Sequence, residues 1–262
     1  LFAEMSFDSL APTYDHDFTT RPIAAVLRQQ TRERMARHFK PGMHILELGC
    51  GTGEDARWLS ENGIYVHATD PSAEMRRISV QKLASFPDSG VSSLDVNSLP
   101  TDTFLKHFDG VLSNFGALNM TRDWAALGLW LARRIRPGGM VCMAVMSRFC
   151  LWESAAALFK GRPKHATRRW SGKALASLPD SGSLTISYPA PGEIQRAWAP
   201  SFELTWRAGL GTFLPPSEFF GMLERRPKLL ARLTRWEQSA WKRGLGHFFA
   251  DHVWLEFRRK HD

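Results

Sequence analysis

"LELGCGTGED", residues 46–55, sets three glycines within five residues directly behind an apolar run. Glycine tolerates left-handed backbone and carries no side chain, so such a turn lets backbone amides approach a bulky polar group. Working outward, "MHILELG" (43–49) follows "KPG" and reads as a buried strand, and 54–62 reads as a helix ended by Asn62-Gly63. Upstream, Pro22 suits the first turn of a helix over 21–39, with Ile23, Val26, Leu27 and Met35 roughly on one face. Downstream, "IYVHATD" (64–70) is a second strand, 72–84 a helix, 91–95 a short strand and "FDGVLSN" (108–114) a fourth strand. A helix over about 122–135, a Pro-Gly-Gly turn at 137–139 and the strand "MVCMAVMS" (140–147) complete this stretch. Alternation at this pitch predicts a parallel sheet with helices on both faces.

Three ligands are compatible with a glycine turn after a strand, and the neighbouring residues choose among them. A phosphate-binding loop needs Gly-Lys-Ser/Thr, whereas Gly53 is followed by Glu54 and Asp55, which repel phosphate. The spacing Gly49-x-Gly51-x-Gly53 also departs from the dinucleotide Gly-x-Gly-x-x-Gly. Glu47, two residues before the first glycine, suits a cationic ligand, and S-adenosylmethionine carries an ammonium and a sulfonium without phosphate. Asp70 ends the second strand, where an acid accepts hydrogen bonds from a ribose diol. Asp95 in "LDVNSLP" (94–100) is placed to meet the adenine amine, and Asn114 ends the fourth strand on the ligand-binding rim.

Taken together, "LELGCGTG", "ATDPSAEM", "LDVNSLP" and the "RPGG" turn resemble a class I S-adenosylmethionine-dependent methyltransferase. The N-terminal "FDSLAPTYD" is similar to the opening of small-molecule enzymes of the ubiquinone-biosynthesis and malonyl-carrier-protein O-methyltransferase kind. The resemblance implies an α/β, doubly wound, mostly parallel seven-stranded sheet with an N-terminal helical lid and a C-terminal cap insertion. It implies S-adenosylmethionine as cofactor, S-adenosylhomocysteine as product and no metal. Carried over, Glu47, Gly49, Gly51 and Gly53 surround the methionine part and Asp70 binds the ribose. Pro71 or Met75 packs on adenine, Asp95 and Val96 read its edge, Asn114 and Phe115 border the methyl group, and Tyr14 caps the pocket. Tyr14, His16 and Asp17 on the lid are the candidates for a catalytic base; Cys50 and the other histidines, among them His107, His165, His247 and His252, are expected to pack or lie at the surface.

The chain divides by charge. Residues 1–147 hold 15 Lys+Arg against 16 Asp+Glu, and residues 148–262 hold 19 against 10 with seven of the ten Trp. The expected organisation is therefore a cofactor-binding core with its lid over 1–147, then a basic, Trp-rich substrate cap over 148–262. The cap region contributes the last two strands, 201–209 and 251–259, while 162–183 reads as loop and 215–243 as helix interrupted by Pro227. Its basic runs suit a carrier-bound acyl substrate, nucleic acid or a membrane surface, of which nucleic acid is the less favoured. Strand four lacks the Asn/Asp-Pro-Pro-Tyr/Phe of amide-nitrogen methylation and the Pro-Cys of cytosine chemistry. A small-molecule or acyl-type acceptor, methylated at oxygen by in-line transfer, is thus the expectation; an RNA or protein methyltransferase and a silent cofactor-binding module are the alternatives. Three cysteines without ligand spacing, no apolar run of spanning length and no secretory pattern predict a reduced, cytoplasmic protein.

Overall fold

The computed structural model describes residues 7–102, 107–162, 166–178 and 182–261, so His165 lies outside the described residues. Seven strands form one sheet in the order β3-β2-β1-β4-β5-β9-β8. They are β1 (His44–Leu48), β2 (Tyr65–Thr69), β3 (Gly90–Ser92), β4 (Phe108–Ser113), β5 (Ile135–Met146), β8 (Phe202–Leu210) and β9 (His252–Arg259). Strand β9 runs antiparallel to both its neighbours and the other pairs are parallel, so the expected mostly parallel seven-stranded sheet is the one found.

The helices are α1 (Ala11–Tyr14), α2 (Pro22–His38), α3 (Glu54–Glu61), α4 (Ala73–Leu83), α5 (Trp124–Ala132), α6 (Leu151–Phe159), α7 (Pro191–Trp198), α8 (Phe220–Glu224) and α9 (Pro227–Lys242). Side chains alternate across a strand, and the core divides accordingly. On one face Ile45, Leu112 and Trp254 pack against Leu27 and Met35 of α2, Leu59 of α3 and Trp241 of α9. On the other, Leu46, Val111, Val253 and Phe257 pack against Leu127 and Leu131 of α5 and Ile194 and Trp198 of α7.

Three local expectations change. The Pro-Gly-Gly segment 137–139 lies inside β5, which starts at Ile135 with a register irregularity opposite Phe108/Gly110. Pro227 opens a helix as its first residue rather than interrupting one, because a first-turn position needs no backbone N–H. Within the basic stretch expected to be loop, Lys173–Leu178 and Gly182–Ser187 form an antiparallel hairpin, β6–β7. Its small-residue sequence carries little strand propensity, and pairing supplies what propensity does not.

The strand order reverses between β1 and β4, and the carboxyl ends of these strands are where open α/β sheets hold ligands. No helix among the described residues is long and apolar enough to cross a membrane.

Candidate active site

The turn after β1 is made possible by glycine at two close approaches. A Cβ on Gly49 (φ 70°) would stand 2.2 Å from the Ala117 Cβ, in the single turn Ala117–Met120 that follows β4. One on Gly53 (φ 80°) would stand 2.3 Å from Ser79 Oγ on α4. Gly51 is different: the nearest foreign atom is Tyr14 Cε1 at 4.0 Å, so its open side faces the lid. Its N–H donates to Asp70 Oδ2 at 2.9 Å while the Ser72 N–H donates to Asp70 Oδ1 at 2.9 Å. Two backbone donors thus aim the Asp70 carboxylate across the ends of β1 and β2, and burial raises its pKa above the ordinary value.

Beneath this turn lies a set of buried charges. Glu47 is 2% exposed, and no hydrogen bond reaches its Oε2 among the described residues. Burial, then the nearby Asp55, push its pKa well above the usual carboxylate range, with Arg28 opposing. Arg28 Nη1 of α2 stands 2.7 Å from Asp55 Oδ1 of α3, and its guanidinium lies 4.7 Å from the centre of the Phe115 ring. Asn114 Nδ2 donates to Asp55 Oδ2 (2.9 Å) and to Thr31 Oγ1 (3.2 Å). The Asn114 side chain therefore turns under α2 and α3, and its Oδ1 accepts the Phe115 N–H at 3.0 Å. Phe115, at φ 49°, is the one non-glycine residue with positive φ among those described. Backbone strain of this kind marks positions held by their surroundings, here at the rim beyond β4.

The N-terminal segment closes over the turn through the two acids of "FDSLAPTYD". Asp8 accepts from Ser72 Oγ and from the Glu74 N–H (3.1 Å), joining the N-terminal end of α4. Asp15 accepts from Thr52 Oγ1 (2.7 Å) and pairs with Lys82 Nζ (2.7 Å). Tyr14, whose ring reaches the open side of Gly51, has its pKa raised by burial. His16 is not brought to the site: its side chain is 83% exposed and bonds Asp17 on the outer surface.

The remaining sequence candidates lie beyond the carboxyl ends of β2 and β3. Met75 is buried in the first turn of α4, which Ser72 caps by accepting the Met75 N–H (3.2 Å), and Pro71 precedes it, half-buried. Asp95 Oδ1 accepts the Asn97 N–H (2.9 Å), and Val96 packs on the second core. Asn97 in turn donates to Met120 O (3.0 Å) and accepts the Arg122 N–H (2.9 Å), tying this loop to the turn beyond β4.

Across Phe115 stands a residue expected from sequence only to pack or lie at the surface. His252 starts β9 opposite Met146 of β5, and its ring meets Phe115 edge-on at 6.1 Å. Its Nδ1 lies 3.1 Å from Asp251 Oδ2, and Asp251 Oδ1 accepts from Arg169 Nη2 (2.9 Å). Arg169 also holds Glu153 (2.6 Å). The pKa of Asp251 is far below the carboxylate range, since His252 and Arg169 outweigh burial. Adjacent Asp-His residues carry no periodic signal, and their place on the rim depends on β9 running antiparallel. No group of three or more metal-binding side chains occurs among the described residues.

Comparison with known proteins agrees with this architecture. A demethylmenaquinone methyltransferase of Corynebacterium urealyticum is 31% identical over 143 residues, covering 54% of this chain and 58% of that protein. The ubiquinone/menaquinone biosynthesis C-methyltransferase UbiE of Bordetella parapertussis is 31% identical over 151 residues, covering 54% and 55%. A non-reducing polyketide synthase, ausA of Aspergillus calidoustus, is 27% identical over 117 residues, 42% of this chain and 5% of that one. The chain thus spans little more than half of these relatives at most. Among solved structures, a chain from the complex of the Haloferax volcanii Trm112 methyltransferase activator with a methyltransferase superposes with TM-score 0.63 at 17% identity, covering 99% and 98%. The DhpI–SAH complex (TM-score 0.62, 16%, covering 99% and 96%) and the [4+2]-cyclase SpnF (0.62, 15%, covering 99% and 95%) share the fold at similar distance. Residues 20–226 match a methyltransferase-domain family, and with most of its length inside that match the chain belongs to this family.

Proposed function

We propose that the chain is an S-adenosylmethionine-dependent methyltransferase acting on a small-molecule or acyl-type acceptor, at oxygen. The observation that carries this reading is the buried acid Glu47, one oxygen of which has no hydrogen bond, beneath a turn whose Gly51 and Ser72 amides fix both oxygens of the buried Asp70. An acid without a partner in a buried site suits a cationic ligand, and two oxygens fixed by backbone donors keep lone pairs for a diol. When bound, S-adenosylmethionine supplies a methyl group on a sulfonium, which needs no further activation. Glu47 with Gly49, Gly51 and Gly53 would hold its methionine part and Asp70 its ribose. Pro71, Met75, Asp95 and Val96 would enclose the adenine, and Tyr14 would cover the whole with Phe115 toward the acceptor. The lid excludes water, and the rim aligns the nucleophile.

On the acceptor side, His252 is the base that geometry favours over Tyr14 and His16. Its Nδ1 is oriented by Asp251, which leaves Nε2 to receive the proton that an acceptor hydroxyl loses on methylation. A second reading, methylation at carbon, is supported by the likeness to the C-methyltransferase UbiE of Bordetella parapertussis; the proton lost overall is then that of the methylated carbon rather than of a hydroxyl, and His252 Nε2 would receive it.

Titration calorimetry with S-adenosylhomocysteine, then transfer of labelled methyl to a panel of phenols, hydroquinones and acyl carboxylates, tests the proposal. The expectation is cofactor binding with turnover on at least one class. His252→Gln should lower kcat about 100-fold or more with cofactor affinity unchanged. Binding without product across the panel would instead support a silent cofactor-binding module. Retention on RNA that falls steeply with salt would favour a polymer acceptor.

A further inference from the structure

We propose that the face formed by the outer side of α6 and the segments 148–151, 170 and 247–249 docks on an anionic lipid bilayer surface. The face is continuous. The Phe149 ring lies 5.7 Å from that of Trp170, the Leu151 N–H donates to Phe249 O at 3.0 Å, and the Phe248 and Phe249 rings stand 6.5 Å apart. All five of these side chains are exposed. Along α6, Leu151, Ala155 and Leu158 fall at i, i+4 and i+7, one stripe, and Phe159 at the helix end is 93% exposed. Apolar side chains gathered in this way on a monomer mark an interaction surface, whereas scattered ones do not.

Charge selects the partner. In the described parts of 148–175 and 242–251 the only acids are Glu153 and Asp251, and Arg169 holds both in the interior. Lys160 and Arg162 are exposed at the end of α6 and just beyond it, and Lys173, Lys242 and Arg243 are exposed in the segments that follow Trp170 and precede 247–249. At the foot of α6, Lys160, Arg162 and Arg168 line a cavity of about 160 Å³ together with Glu153 and Glu218. Glu153 is already paired to two arginines there, so the cavity is net cationic. A helix with apolar residues on one side and a basic surround lies in the interface of an anionic bilayer, where rings and leucines enter the acyl boundary and cations meet headgroups. Nucleic acid would account for the cations and the aromatic rings but not for protruding leucines.

The face adjoins the carboxyl end of β5 and the start of β9, because Ser147 Oγ bonds both Phe149 O and Ala250 O. It therefore lies beside the rim of Phe115 and His252. On the proposed function, an acceptor dissolved in the bilayer would reach that rim without crossing water; the docking itself does not depend on that reading.

Co-sedimentation of the whole chain with phosphatidylcholine vesicles, with and without about 30% phosphatidylglycerol, tests the proposal without cofactor or acceptor. Retention should be strong on the anionic vesicles, weak on neutral ones, and should fall as salt rises. The double variant Phe159→Ser/Phe248→Ser should lower partitioning about tenfold or more while leaving the thermal midpoint unchanged, since both side chains are exposed. Lys160→Glu/Arg162→Glu should abolish the preference for anionic lipid. Equal retention on both vesicles, none on either, or a serine variant that binds like the parent would overturn the proposal. So would a stable dimer dissociated by the serine variant, or selective capture of RNA or an acidic protein in place of vesicles.

Discussion

Helix α2 delivers arginines to buried acids at two places on the same face of the sheet, and the two places are built differently. Near its C-terminal end Arg34 and His38 meet Glu256 of β9. Arg34 Nε donates to Oε1 at 2.6 Å, His38 Nε2 lies 2.8 Å from Oε2, and Trp254 Nε1 donates to Oε1 at 2.9 Å. The Arg34 guanidinium also sits 3.8 Å from the centre of the Trp206 ring. About two turns earlier, Arg28 meets Asp55 and Glu47, and there one carboxylate oxygen of Glu47 has no hydrogen bond. The pKa shifts run in opposite directions. Burial alone would raise Glu256, but the bonds from His38, Arg34 and Trp254 outweigh it and hold the group at about 2. Glu47 is raised by burial and by Asp55 with only Arg28 against them. A buried acid with every oxygen satisfied ties a helix to a sheet, whereas one left unsatisfied is waiting for a cation.

The largest effect that can break this comparison is expected at the satisfied cluster. Glu256→Gln leaves Arg34 buried without a counter-charge and should destabilise the fold by about 3 kcal/mol, measured by chemical denaturation at neutral pH. Because the native pKa is depressed, the stability Glu256 contributes is present above its unfolded pKa of 4.5 and is lost as pH falls toward about 2. The variant should flatten that stretch of the stability–pH curve and leave cofactor affinity intact. A variant as stable as the parent would mean that the cluster does not hold α2 to β9.

Next in size, Asp70→Ala should weaken S-adenosylhomocysteine binding about 100-fold by calorimetry, the equivalent of two hydrogen bonds to a charged group, with a smaller loss of stability. Unchanged affinity would move the site away from the β1–β4 switch point. The smallest effect sharpens the contrast. A cationic ligand favours ionised Glu47, so binding should release a proton as the raised pKa comes down, and affinity should rise with pH until Glu47 is ionised without ligand. Calorimetry in two buffers of different ionisation enthalpy measures the released proton, and Glu47→Gln should remove it. Proton uptake in the parent would contradict the assignment of Glu47 to the cation.

Much of the candidate site is legible in particular residues. The glycine spacing, Glu47 and Asp70 could be read because each sits at or just beyond the end of a strand, and strand ends are local information. His16 and His252 show where that reasoning stops. Both are histidines beside an aspartate, yet the one near Tyr14 in sequence faces solvent while the one at the far end of the chain meets Phe115. Asp55 was read as a charge that repels phosphate, and its partner Arg28 could not be named, because helix positions 27 residues apart carry no mutual signal. The β6–β7 hairpin was missed for a related reason: its residues have weak strand preference and only pairing organises them.

By itself the sequence determined the alternation of strands and helices, the turn after β1 and the acids that flank it. Periodicity and glycine conformation are properties of neighbours in the chain. Only the tertiary structure decided which buried charges are satisfied, which histidine lies on the rim and which apolar side chains remain outside. Satisfaction and exposure depend on segments as distant as α2 and β9, brought together when the sheet closes in the order β4-β5-β9-β8.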